Sequence, residues 1–137
     1  PVIIHSRSAD EDTAAIIRAE HEKAPFPGLI HCFSAGQLVA SSALECGLSI
    51  SLSGIATFKN AHSLRSIIQE LPIDKLLIET DAPFLAPVPR RGTRNEPSFI
   101  SYTADFLAKF LAIEIEQFAE RTTNNFFELF TRARRPT

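Results

Sequence analysis

Short apolar runs recur along this chain, each followed by a turn and then an amphipathic segment, and that repeating unit constrains the fold more than any other feature. Residues 2–5 form a β-branched run bounded by polar residues, as a buried strand does. Residues 28–32 read as a second strand and residues 75–79 as a fourth. Between them, residues 48–53 alternate Leu, Ser, Ile, Ser, Leu, Ser, which is the period of a third. The intervening segments carry helical signals. Ser8 and Glu11 have capping-box spacing, and Asp10 and Asp12 suit the positive end of a helix dipole, so a helix is expected from there to about Lys23, before Pro25 and Pro27. Leu38, Val39, Ser42, Ala43 and Cys46 fall on one helical face, with Gly47 placed to end it. Asn60 is expected to cap a helix bearing Ala61, Leu64, Ile67, Ile68 and Leu71, ended by Pro72.

Past the fourth strand lies a loop rich in proline and arginine, at about residues 82–96, long enough to suggest a working loop rather than a connector. Pro97 then opens a helix whose Phe99, Tyr102, Thr103, Phe106, Leu107 and Phe110 make a wide aromatic stripe. Such a stripe could stack bases, but helical spacing favours core packing. A last helix is expected at about 115–130, with a break near 122–124.

Strands alternating with helices imply parallel βα units, which close either as an open doubly wound sheet or as half of an eight-stranded barrel. A dinucleotide-binding sheet needs a glycine-rich turn after its first strand, and His5-Ser6-Arg7-Ser8 is not one. At 137 residues, with 45% apolar and 22% charged residues, the chain fits one soluble domain. Its longest apolar runs fall far short of the roughly 20 residues that cross a bilayer. Pro1-Val2-Ile3-Ile4 has neither the basic start nor the cleavage site of a signal peptide, so a cytoplasmic setting is expected. Cys32 and Cys46, with no CxxC spacing, read as buried, reduced thiols. The lack of methionine and the start inside a strand suggest an incomplete or excised segment.

Three ligand-type side chains occupy equivalent places. His5, His31 and Asp81 each lie at or just beyond the C-terminal end of an expected strand, the edge where parallel α/β folds carry function. Two imidazoles and a carboxylate make a sensible partial set for a divalent ion, while a lone strand histidine is more often bonded to backbone. Pattern alone leaves both readings open. Glu79 shares the strand face of Asp81 and would either orient a ligand or water, or pair with a basic residue. His21 and His62 read as surface residues, and Asp10, Asp12, Asp74 and Asp105 as helix and turn residues. A net charge of −2 gives no global reason to expect nucleic acid. Arg94, and less directly Arg90 and Arg91, suit either a phosphate or a loop salt bridge. Arg132, Arg134 and Arg135 read as a solvated tail.

Three blocks stand in order along the chain: Pro1-Val2-Ile3-Ile4-His5-Ser6-Arg7, Leu29-Ile30-His31-Cys32-Phe33-Ser34, and Leu76-Leu77-Ile78-Glu79-Thr80-Asp81-Ala82-Pro83-Phe84-Leu85-Ala86-Pro87. Together they resemble the signatures of the TatD family of metal-dependent deoxyribonucleases. Ser53-Gly54 with Thr57-Phe58-Lys59-Asn60-Ala61, and Arg91-Gly92-Thr93-Arg94-Asn95-Glu96-Pro97, are similar to the segments that accompany them. Ala35 departs from the family's usual glycine but touches no ligand. The resemblance implies a TIM-type (βα)8 barrel of the amidohydrolase-like group, with residues 1–137 forming its C-terminal half, strands five to eight. A complete barrel typically has about 250 residues.

By that resemblance His5, His31 and Asp81 are metal ligands, while the family's His-x-His pair and bridging Glu lie outside this sequence. The chemistry implied is metal-assisted hydrolysis of DNA from its 3′ ends or along single strands. Two divalent ions would occupy the complete site, Mg²⁺ or Mn²⁺, with Zn²⁺ also suited to these ligands. Asp81 would accept a proton from water, Glu79 would assist it, and Arg94 and Arg91 would meet phosphate. Rival readings are a related ester or amide hydrolase, acting for example on a misacylated tRNA, and a non-catalytic fragment with a packing or partner-binding role. The chain alone is expected to be inactive.

Overall fold

Four strands assemble in the order of the sequence. In the computed structural model, which describes residues 1–135, β1 (Val2–Ile4), β2 (Gly28–Ile30), β3 (Ser49–Leu52) and β4 (Leu76–Ile78) form one parallel sheet in the order β1-β2-β3-β4. A doubly wound sheet reverses strand order at a switch point, and this one does not. Right-handed crossovers in unbroken order carry every helix to the same side. This is the layout of successive βα units in a TIM-type barrel.

The register explains the core. Ile4, Ile30, Ile50 and Leu76 are aligned across the sheet, and the last three are fully buried. They pack with Ile17, Val39, Ala43, Leu107 and Phe118 from the helices. The opposite face alternates in step, with Leu29, Ser49, Ser51 and Leu77. Gly28 is required by the β1–β2 contact, since a Cβ there would lie 2.6 Å from the carbonyl oxygen of Val2.

Helix α1 (Asp10–Lys23) begins and ends as its acidic start and following prolines suggest. Its capping differs from expectation. Ser8 adopts a left-handed φ of 53°, Ala9 takes the N-cap position, and no side chain caps the helix. Asp10 Oδ2 instead accepts the N–H of Gly36 at 2.7 Å, tying the segment after β1 to the segment after β2. A Cβ on Gly36 would sit 2.8 Å from that oxygen. Helix α2 (Gln37–Glu45) buries Val39, Ser42 and Ala43 as expected, while Leu38 is exposed. It ends in a Schellman motif. Gly47, at φ 71°, donates to Leu44, and Leu48 donates to Ala43 at 2.8 Å.

A 3-10 turn, Gly54–Thr57, follows β3, and α3 (His62–Ile68) follows it, with Ala61 rather than Asn60 at its N-cap. Pro97 opens a further 3-10 turn, Pro97–Phe99, leading into α4 (Ile100–Phe110). Thr103 and Leu107 of its stripe are buried, and Phe106 stacks on Phe110 with centroids 6.1 Å apart. Helix α5 (Ile115–Leu129) runs without the expected break, and the buried Thr122 donates its hydroxyl to the Phe118 carbonyl at 3.0 Å. Buried Asn125 donates to the carbonyls of Ile73 and Leu76, fastening α5 to the start of β4. No helix among the described residues is long and apolar enough to cross a membrane. Both cysteines are free, but each is half-buried rather than buried. Cys32 lies just past β2 and Cys46 at the cap of α2. In the tail, Arg132, Arg134 and Arg135 are exposed, and Arg135 lies over the Phe127 ring at 4.8 Å.

Candidate metal centre

The sheet ladder extends one residue beyond two of its strands, and those residues carry function-type side chains. The N–H of His31 donates to the Ile4 carbonyl at 2.8 Å, and the N–H of Glu79 donates to the Leu52 carbonyl at 3.0 Å. Both side chains are thereby delivered to the C-terminal rim of the sheet. Between them the chain after β2 kinks. Cys32 takes φ 45° and its N–H donates to Glu79 Oε2 at 3.1 Å, before Phe33 rejoins the ladder by donating to Ser51.

His31, Glu79 and Asp81 converge. Each offers a ligand atom, and these atoms lie within 4.8 Å of one another. His31 Nδ1 is 2.8 Å from Glu79 Oε1, and Nε2 is 3.5 Å from Asp81 Oδ1. The shorter contact is close but misaligned for a hydrogen bond, so the buried Oε1 of Glu79 has no hydrogen-bond partner. A buried, unpartnered carboxylate oxygen is costly in the bare protein, and a cation would satisfy it. Among the described residues, neither carboxylate forms an ion pair with a lysine or arginine. Two oxygens and an imidazole nitrogen, partly exposed and without a competing cation, fit a divalent metal.

His5 lies immediately beyond β1 on the same rim, its ring centroid 6.1 Å from that of His31. It is exposed and stands beside the converged trio rather than within it. The trio thus contains Glu79 where the pattern of strand ends had put His5. The Cys32 thiol, 3.1 Å from the Ser53 hydroxyl, is held above its ordinary pKa. Burial is the main cause and the charges of Glu79 and Asp81 add to it, against the opposing hydrogen bond from Ser53.

The long loop is clamped over this rim. Phe84 N–H donates to the Asp81 carbonyl at 2.8 Å, and the buried Asn95 donates through Nδ2 to the Phe84 carbonyl at 2.7 Å. Asn95 also bonds Pro83 through its own N–H and accepts from Glu96 N–H. Gly54 lets the loop cross it, since a Cβ there would lie 2.4 Å from the Leu85 carbonyl oxygen. Val88 N–H is held by the Thr57 hydroxyl.

The arginines separate by role. Arg91 lies over the Phe58 ring at 3.7 Å and donates to the Ala86 carbonyl. Arg90 donates to the Tyr102 hydroxyl and lies over the rings of Tyr102 and Phe99. Arg94 is exposed, and among the described residues it makes no hydrogen bond or ion pair. Asn95 escaped the sequence reading because an asparagine in a polar loop carries no pattern that separates a clamp from a solvated side chain.

The profile of the family described as "TatD related DNase" matches residues 1–131. The metal-dependent hydrolase YcfH of Escherichia coli K12 is 44% identical over 130 residues, covering 95% of this chain and 49% of that protein. The 3′-5′ ssDNA/RNA exonuclease TatD of Pantoea ananatis is 32% identical over 135 residues, covering 95% and 52%. The crystal structure of the TatD homologue YjjV from Escherichia coli superposes with a TM-score of 0.85 at 28% identity, covering 96% of this chain and 50% of that one. The chain therefore spans about half the length of the curated relatives it matches.

Proposed function

Because this chain belongs to the TatD related DNase family, we propose that it supplies the C-terminal half of a metal-dependent hydrolase barrel that cleaves phosphodiester bonds at the 3′ ends of single-stranded DNA. The observation that carries this reading is the convergence of His31, Glu79 and Asp81 around a buried carboxylate oxygen with no hydrogen-bond partner. Those three side chains would hold a divalent cation, with His5 on the adjoining strand end able to join as a further ligand or to serve a second ion. The remaining ligands would come from the other half of the barrel, whose strands would pair with the outer edges of β1 and β4.

A divalent cation there supplies Lewis acidity and makes water nucleophilic near neutral pH. The chain's own residues do the rest. The Cys32 N–H holds Glu79 Oε2, so that Oε1 would be the oxygen to hold the cation. Asp81, about a third exposed, would take the proton released by water. Arg94 offers a planar pair of donors to the phosphate flanking the scissile bond. Arg91, engaged with Phe58, keeps the loop that bears Arg94 in place. The exonuclease name of the Pantoea ananatis relative supports a nucleic acid strand end over other phosphodiesters.

The test joins this chain to the N-terminal half of the Escherichia coli relative and assays a 3′-labelled single strand with Mn²⁺. The hybrid should release nucleotides from the 3′ end, and His31→Ala or Asp81→Asn should lower the rate by about a hundredfold or more. The 137-residue chain alone should be inactive. A folded hybrid that cleaves aminoacyl esters and no phosphodiester, or activity untouched by Asp81→Asn, would overturn the proposal.

A further inference from the structure

Phe84 is 68% exposed, and it stands on the loop that leaves the candidate metal centre. A single exposed apolar side chain is ordinary on a protein surface. Phe84 differs in how firmly it is held. Its N–H donates to the carbonyl of Asp81, closing a turn that keeps the two Cα atoms within about 7 Å. Its own carbonyl accepts from Asn95, which is 3% exposed. Both backbone groups are therefore occupied, and one tether runs to the residue that carries the carboxylate.

The same clamp fixes a second group. Asn95 bonds residues 83 and 84, so Arg94, the residue before it, emerges from the strand of loop beside Phe84. An exposed aromatic ring, an arginine without a partner among the described residues and a metal-type carboxylate thus lie on stretches of one loop tied together by hydrogen bonds. A nucleotide at a strand end presents the matching groups: a flat base, a phosphate and the ester bond to be cut. Aromatic rings stack on any base, since every base has a π-face, and guanidinium recognises phosphate.

We propose that Phe84 is the stacking site for the terminal base of a nucleic acid strand and so makes the site selective for ends that carry a base. This rests on the nuclease reading above and deepens it by naming what part of the substrate is recognised. The interaction is sequence-tolerant, as a stacking contact without edge hydrogen bonds must be.

The test is equilibrium binding of two short single strands in EDTA, one ending in the fluorescent base 2-aminopurine and one ending in an abasic residue. The full chain should quench the terminal fluorophore and bind the base-bearing strand about tenfold more tightly, the scale of one base–aromatic stack. Phe84→Ala should abolish both the quenching and the preference, Phe84→Tyr should keep them, and neither should lower the melting temperature. Equal binding of the two strands, binding of neither, or a preference that survives Phe84→Ala overturns the stacking site. So does a large loss of stability in Phe84→Ala, which would mean that the ring packs against protein. Metal-dependent cleavage by the hybrid barrel decides the nuclease reading separately, because that assay does not depend on a base preference.

Discussion

Asn95→Ala should loosen the site without unfolding the protein. The side chain makes two hydrogen bonds, from Nδ2 to the Phe84 carbonyl at 2.7 Å and to Oδ1 from the Glu96 N–H at 2.9 Å. Each is worth about 1 kcal/mol net. The loss is therefore about 2 kcal/mol, felt mainly as local opening of the loop. At about 1.4 kcal/mol per factor of ten, that is roughly a thirtyfold rise in hydrogen exchange at the amides of residues 84 and 95. The Phe33 amide, bonded to Ser51 in the sheet, should not change. Asn95→Asp provides the control. It keeps the shape and the acceptor for Glu96 but removes the donor to Phe84, so exchange should rise at residue 84 and stay slow at residue 96. A uniform rise across the whole chain, or less than about a threefold change at residue 84, would refute the idea that one buried amide clamps this loop.

Two further perturbations probe the same region. Gly54→Ala puts a Cβ 2.4 Å from the Leu85 carbonyl and 3.0 Å from the Pro87 nitrogen, both backbone atoms, and should cost about 1–3 kcal/mol, read as a lower denaturant midpoint; an unchanged midpoint would show that the loop does not press on this turn. The Cys32 thiol, raised by burial, binds its proton more tightly folded than unfolded, so metal-free stability should fall as pH rises past the ordinary thiol value and through the folded one. Denaturation in EDTA at about pH 7 and about pH 10 should therefore show wild type losing more stability than Cys32→Ser, and equal losses would count against a buried, neutral thiol.

The fold was legible where a local pattern had a single physical solution. The alternation after Leu48 yields β3, and Gly47 ends α2 because the left-handed position of a Schellman motif suits glycine. Prolines 25 and 27 stop α1 where expected. Capping was less legible because its usual residues had other work. Ser8 lies in a left-handed turn and Asp10 reaches across to Gly36, a contact 26 residues away that no local spacing announces. The site shows the same division. Strand ends identified His5, His31 and Asp81 as rim residues, but which side chains converge depends on the angle of each strand end. At the kink the Cys32 N–H holds one oxygen of Glu79, the other lies against His31, and His5 stands beside them. The arginine-rich loop was visible as a charged segment. That Arg91 and Arg90 rest on aromatic rings, with Arg94 left exposed, follows from tertiary packing alone.

The central claim is that His31, Glu79 and Asp81 hold a divalent cation, and anomalous diffraction from crystals of the chain grown with Mn²⁺ tests it most directly. The account predicts a manganese peak within about 2–2.6 Å of Glu79 Oε1, an Asp81 oxygen and a His31 nitrogen, lost in His31→Ala. A map with no ion there, and with His31 Nδ1 still 2.8 Å from Glu79 Oε1, would contradict it.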